Sequence, residues 1–184
     1  MKMTPEQLAR AREQWTWTGQ ARPAFAQTPL EDQVSVWDFP RPPALVPEKR
    51  EIVVLWGDLE VARTTQAWKV LETAHPPTYY LPLSSVRPGL LQSAGQGSFC
   101  EWKGPAQYWD LVNPDQRLNG VAWSYLQPLE EARSIAHHIA FYAHKLHCTV
   151  GGAQVLPQPG GFYGGWITHD LAGPFKGEPG SSAW

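Results

Sequence analysis

Proline and glycine recur so often along this chain, 18 and 16 times in 184 residues, that little room is left for long helices. Proline removes a backbone donor and fixes φ, and glycine relaxes the backbone, so segments bounded by them fold as short strands joined by turns. The apolar content of those segments is strongly aromatic, with ten Trp, six Tyr and six Phe. The pattern predicts a mainly β fold: one domain of antiparallel sheets with one or two short helices and extended N- and C-terminal arms. A chain of this length buries a real core without disulfides or a structural metal.

Charge and cysteine usage narrow the function. Lys plus Arg number 15 against 17 Asp plus Glu, a formal net charge of −2, and the basic residues are scattered. No phosphate-binding track results, so no nucleic-acid partner is expected. Cys100 and Cys148 stand far apart and make no disulfide framework, and no secretory segment precedes the first charged helix, which predicts a reducing, cytoplasmic setting. No apolar run reaches the roughly 18 residues of a membrane span, so no membrane partner is expected either.

Along the chain, Thr4-Pro5-Glu6-Gln7 sets a capping box before a helix running to about Trp15. Residues 1–47 read as that helix followed by an arm. The arm is rich in proline, but Val36-Trp37-Asp38-Phe39 is too apolar for a solvated linker and is expected to dock. A β domain spans 48–157. Ile52 to Trp56 is a buried-strand run, and Gly57-Asp58 turns it into a hairpin with Leu59 and Val61. Further strands are predicted at Trp68 to Leu71, Thr78 to Leu81, Phe99 to Lys103, Gln107 to Val112 and Gly120 to Leu126, the last three as a meander. Pro128-Leu129-Glu130-Glu131 starts a helix over Ala132 to His138. Ile139 to Val150 keeps both helical and strand spacing, and Gly151-Gly152 favours a hairpin. Residues 158–184 form a second arm whose Phe162, Tyr163, Trp166, Phe175 and Trp184 predict packing on the sheet, with Lys176 in a solvated turn.

The densest chemistry lies in Cys100-Glu101-Trp102-Lys103-Gly104, Tyr108-Trp109 and Ala122-Trp123-Ser124-Tyr125. On strands, Cys100 and Trp102 share one face, Glu101 and Lys103 the other, and Trp123 and Tyr125 share a face. Aromatics at such spacing are more often core than site. They also suit an aromatic pocket floored by a thiol, in which Tyr80, Trp102, Tyr108, Trp123 and Tyr125 hold a flat or cationic ligand while Lys103 or Arg87 orients an anionic or carbonyl group. Cys100 becomes a nucleophile or redox thiol if Lys103 or Arg87 lowers its pKa, whereas most buried cysteines are inert. Ser124 lacks the glycines of a nucleophile elbow. His137, His138, His144, His147 and Cys148 are the one candidate metal cluster, but no CxxC or HExxH pair accompanies them, and neither metal nor cofactor is expected. Gly160-Gly161-Phe162-Tyr163-Gly164-Gly165 is followed by no Lys-Ser or Lys-Thr. It reads as backbone passing close to a bulky ring rather than as a phosphate loop.

Taken together, Leu71-Glu72-Thr73, Pro76-Pro77-Thr78-Tyr79-Tyr80, Cys100-Glu101-Trp102-Lys103-Gly104, Tyr108-Trp109, Ala122-Trp123-Ser124-Tyr125 and Ala140-Phe141-Tyr142 resemble the domain of unknown function 427 family from about Val36 onward. The ending, Phe162 to Thr168 with Gly173-Pro174-Phe175-Lys176-Gly177, looks like its cyanobacterial branch. The resemblance implies a β-tent, the Mss4-like fold shared with methionine sulfoxide reductase B. Many such relatives hold zinc between cysteine pairs that this chain lacks. The nucleotidyltransferase label sometimes given to the family needs Gly-Ser followed by Asp-x-Asp for magnesium. Here Gly97-Ser98 is followed by Asp110, but residue 112 is Val, and the label is not supported. Where the branch favours an acidic residue before Val155, this chain has Ala153 and Gln154. Three roles are expected in consequence: a small-molecule-binding module, a thiol enzyme built on Cys100, or an interaction protein whose arms meet a partner.

Overall fold

The computed structural model describes residues 3–95 and 97–184. Helix α1 (Pro5–Arg12) begins at the expected capping box: Thr4 Oγ1 accepts from Gln7 N at 3.2 Å, and Gln7 Oε1 accepts from Thr4 N at 2.9 Å. It stops short of Trp15 and buries none of its residues. A helix this short is not stable by itself, and it is tied down at its far end by Arg12, whose Nε donates to the Glu101 carbonyl at 2.9 Å. No helix among the described residues is long and apolar enough to cross a membrane.

Strands β1 (Ala44–Glu48), β2 (Ile52–Trp56), β3 (Leu59–Thr64), β4 (Ala67–Leu71), β5 (Thr78–Pro82), β6 (Leu91–Ser93), β7 (Gln107–Val112), β8 (Arg117–Ser124), β9 (His138–Phe141), β10 (His147–Val150) and β11 (Ala153–Gln154) make two antiparallel sheets. The larger has the order β1-β4-β5-β9-β8-β7-β6, and the smaller β11-β10-β2-β3. Their shared core joins Ile52, Val54, Val61, Cys148 and Val150 of the small sheet to Tyr79, Leu81, Leu111, Ala122, Ile139 and Phe141 of the large one. Strand alternation then turns the intervening Tyr80, Trp123 and Ala140 to the opposite face of the large sheet, where they belong to a second cluster with Val70 and Tyr125.

Both arms lie against these sheets. Val34 and Ser35 pair in parallel with Leu171 and Ala172, joining one arm to the other. Trp37 is fully buried among the rings of Trp17, Phe25 and Trp184, at 5.8, 5.3 and 5.2 Å. Trp166 fills the end of the main core, stacked on Tyr79 at 5.2 Å, with its Nε1 donating to the Phe141 carbonyl at 2.8 Å.

Several expectations are corrected. Phe99–Cys100 is a strand, but the chain turns at once and returns through Gly104–Pro105, so Phe99 to Lys103 is not one strand. Gly104, at φ 97, supplies the backbone reversal. The helix expected over Ala132 to His138 is a 3-10 turn over Glu130–Ile135, and His138 instead opens β9 because His137 leaves the helical region at φ 57. Ile139 to Val150 splits into β9 and β10, which lie in different sheets, and this explains why neither periodicity held across it. The Gly151-Gly152 hairpin does form, with both residues at positive φ between β10 and β11. Lys176 is not solvated: it is 2% exposed, and Nζ donates to the backbone oxygens of Ser181, Ser182 and Trp184 at 3.0, 3.1 and 2.8 Å.

If the C-terminal arm is part of the core, Trp166→Ala lowers stability by roughly 3–5 kcal/mol in urea unfolding followed by circular dichroism, the cost of removing a large buried aromatic. The exposed Leu156→Ala control shifts it by less than about 0.5 kcal/mol.

Candidate functional site

The outer face of the large sheet carries the site. Trp68 stands opposite Tyr80 across β4 and β5, Tyr108 opposite Trp123 across β7 and β8, and Trp123 opposite Ala140 across β8 and β9. Opposed residues point to the same face, so the sheet presents a row of large rings with a small residue among them. Above this floor, the Phe99 to Lys103 turn, the Gln158 to Gly164 segment and Trp15 close the walls of a cavity of about 210 Å³.

Seven of the eight residues proposed from sequence border this cavity: Tyr80, Cys100, Trp102, Lys103, Tyr108, Trp123 and Tyr125. The alternating-face argument for Cys100 and Trp102 does not explain their placement. The tight turn, with Lys103 N donating to the Cys100 carbonyl at 3.3 Å, brings Cys100, Glu101, Trp102 and Lys103 all to the cavity rim. Arg87 is the exception. After the turn at Leu83–Ser85 the chain crosses to β3, where Val86 bridges Ala62, and Arg87 lies exposed at a separate depression beside Glu60.

Sequence reasoning missed Trp15, Glu72, His75, Tyr142, Gln158 and Tyr163, all of which line the cavity. The available signal was a carboxylate and an imidazole set in the otherwise uncharged Leu71-Glu72-Thr73-Ala74-His75-Pro76-Pro77. Gly164 is placed as the glycine-rich segment suggested: a Cβ there would run into the Trp123 indole.

The charges are buried and linked. Glu72 pairs with Arg41 at 3.4 Å and with Lys103 at 3.5 Å. Burial opposes its ionisation, but Lys103, His75 and Arg41 together hold its carboxyl below the usual carboxylate range. Burial likewise works against the charge on Lys103, yet Cys100, Glu72 and Tyr80 around it raise its pKa, and it stays an ammonium. Burial raises the Tyr80, Tyr125 and Tyr142 hydroxyls, which remain protonated donors.

His75 behaves in the opposite way. Burial, aided by Arg41, Lys103 and Lys176 against the pull of Glu72, lowers its pKa to about 4, so the imidazole is neutral at pH 7. Gln158 fixes its tautomer. The Gln158 carbonyl accepts from Gly165 N and its amide nitrogen donates to the Lys176 carbonyl and to His75 Nδ1 at 2.9 Å, which leaves the proton on His75 Nε2.

Trp15 caps the cavity. Its Nε1 donates to Glu101 Oε1 at 2.8 Å, and the Arg41 guanidinium and Lys176 ammonium sit 4.3 and 5.0 Å from its ring. Arg12 reinforces the cap by stacking on Trp102 at 4.9 Å, beside its hydrogen bond to the Glu101 carbonyl.

The candidate metal residues are not brought together. Cys148 points into the core, where burial pushes its thiol well up, and His147 beside it is exposed. His138 Nδ1 lies 2.7 Å from the Ala136 carbonyl. Among the described residues no group of three or more His, Cys, Asp or Glu is placed to hold a metal ion. Asp110 is committed to the β7–β8 pairing: it accepts from Gly120 N at 2.7 Å and from Arg117.

A family profile described as Domain of unknown function (DUF427) matches residues 44–152, more than half of the chain. No curated protein matches it.

The His75 environment fixes a pH effect. Its folded pKa lies below its ordinary 6.5, so its contribution to stability is complete above that value and is lost as pH falls toward about 4. Acidification from pH 7 to pH 4.5 therefore destabilises the wild type more than His75→Gln, by a difference of about 2 kcal/mol in urea midpoints taken at both pH values.

Proposed function

The chain belongs to the domain of unknown function 427 family, and on that premise we propose that it is a binding module that holds one small, flat molecule in the aromatic cavity. The observation that carries the reading is the composition of the cavity wall. Sheet-borne rings supply stacking surface, and Lys103, Tyr80 and Tyr125 supply donors beside them. At about 210 Å³ the cavity is smaller than the roughly 300–1,000 Å³ of sites for drug-sized ligands, which points to a compact metabolite. The reading includes the β-tent kinship implied by the resemblance: two unequal antiparallel sheets share one core, and one face of the larger is left for a ligand. It also places the protein in the cytoplasm, where the free Cys100 and Cys148 persist as thiols.

Native and denaturing mass spectra of freshly purified protein test it. A small mass that leaves on denaturation is expected, and Gly164→Ala, which drives the Trp123 indole into the cavity, is expected to purify folded without it. A bare protein that also gains no mass from a metabolite extract would sink the reading.

The Cys100 thiol in the cavity wall, within electrostatic reach of Lys103 and Tyr125, supports a second reading in which the bound molecule meets thiol chemistry. Cys100→Ser then keeps the ligand but no longer forms an iodoacetamide-sensitive adduct with it. A variant that behaves as wild type removes the thiol reading and leaves binding intact.

A further inference from the structure

The proposed binding reading leaves the ligand's charge open, and the balance of donors and charges in the cavity closes it. Three cations stand around the cavity, Arg41, Lys103 and Lys176, against two carboxylates, Glu72 and Glu101. Arg12, the next cation out, is answered by Glu131 at 3.2 Å. Lys176 is taken up outside the cavity lining, where the oxygen of Trp184, the last residue of the sequence, lies 2.8 Å from its Nζ.

Of these three cations, Lys103 alone lines the cavity among the described residues. Arg41 donates to the Trp17 and Thr73 carbonyls as well as meeting Glu72, and its remaining Nε is buried without a partner among the described residues and outside the cavity lining. Lys176 is saturated by three backbone oxygens. Lys103, in contrast, is 12% exposed and meets only the Glu72 carboxylate among oxygen acceptors of the described residues, at 3.5 Å, which leaves ammonium hydrogens for an occupant of the cavity. Two neutral donors flank it. Tyr80 Oη accepts from Trp123 Nε1 at 3.2 Å, so its own hydrogen has no protein acceptor among the described residues. His75 Nδ1 accepts from Gln158, so its Nε2–H is likewise unspent. A buried polar group left without a partner is costly, and here the unspent groups are donors.

We propose that the cavity selects a monoanionic carboxylate on a flat, unsaturated body, with the carboxylate received by Lys103, Tyr80 and His75 and the body lying against the indole of Trp123. The choice of a monoanion rests on Lys103 being, among the described residues, the one cation that lines the cavity, with two neutral donors beside it. A phosphate dianion would bring a second charge to a wall that, among the described residues, carries no second cation. A neutral carbonyl would leave Lys103 with only the Glu72 carboxylate, which it shares with Arg41.

The test is isothermal titration of the wild-type protein with benzoate, cinnamate and indole-3-acetate, each beside its primary amide, with phenylphosphonate as the dianion, at a pH above the second phosphonate ionisation. Each acid is expected to bind about tenfold or more tighter than its amide, the size of a charge-assisted hydrogen bond. Lys103→Met weakens the acids far more than the amides and brings the two to a similar level. Tyr80→Phe, which keeps the ring in place, removes part of the same preference and serves if the lysine variant does not fold. Equal binding of acids and amides overturns the charge assignment while leaving the cavity as a binding site, and so does a phosphonate that outcompetes benzoate. Failure of every acid and every amide to bind overturns both.

Discussion

The buried carboxylate of Glu72 holds the parts of this protein that have least else in common. It lies just past the end of β4, and its two partners come from opposite directions: Arg41 from the N-terminal arm at 3.4 Å and Lys103 from the turn after Phe99–Cys100 at 3.5 Å. An ionised carboxylate away from water is sustained only when its partners are in place, so the ion pairs fix where the arm and the turn can sit. Arg41 passes the constraint on, because its guanidinium also holds the Thr73 carbonyl and faces the ring of Trp15. His75, on the same short segment, stays neutral because burial disfavours its charge and the neighbouring cations add to that against the pull of Glu72. Replacing Glu72 by a neutral residue would thus disturb the wall and the cap at once, while His75, which Glu72 pulls toward its charged form, would stay neutral.

Around that ionic centre, the large sheet divides its labour by face. The inner face, where Tyr79 and Phe141 stand among aliphatic side chains, shares a core with the smaller sheet, while the outer face carries Trp68, Tyr80, Tyr108 and Trp123. Rings on an outer face need cover, and the cover is made of loops and arms rather than of a further sheet. The cover therefore approaches closely only where a side chain is absent. Gly164 against Trp123 is the clearest instance, since any β-carbon would displace the indole.

Local chemistry decided which features could be read from the sequence. The Thr4 to Gln7 capping box, the Ile52 to Trp56 run with its Gly57-Asp58 turn, and the Gly151-Gly152 hairpin are each specified by residues within a few positions of one another. Trp123 and Tyr125 were found together because strand parity places them on one face, and Tyr80 and Tyr108 were grouped with them as aromatics of other strands. Arg87 was misplaced because a turn just upstream carries it to the other sheet, which no local signal announces. Cys100 and Lys103 reached the same cavity through a reversal and not through alternation. Lys176, Glu72 and Trp15 were misread or missed for one common reason: the partners that bury them are distant in sequence, so composition near each residue suggests only a solvated turn, a strand end and a helix end.

The pairing of Val34 and Ser35 with Leu171 and Ala172 has a consequence for how the protein comes into being. A parallel pair closed over so long a stretch of chain forms late, after the hairpins of the two sheets, because its loop-closure entropy has to be met first. On the ribosome the delay is absolute: β1 to β11 can fold while the arm that brings Tyr163 and Lys176 is still being synthesised. During that interval the rings of the outer face are uncovered and sticky. The segment that completes the cavity is therefore also the segment that ends the nascent chain's exposure to misassembly.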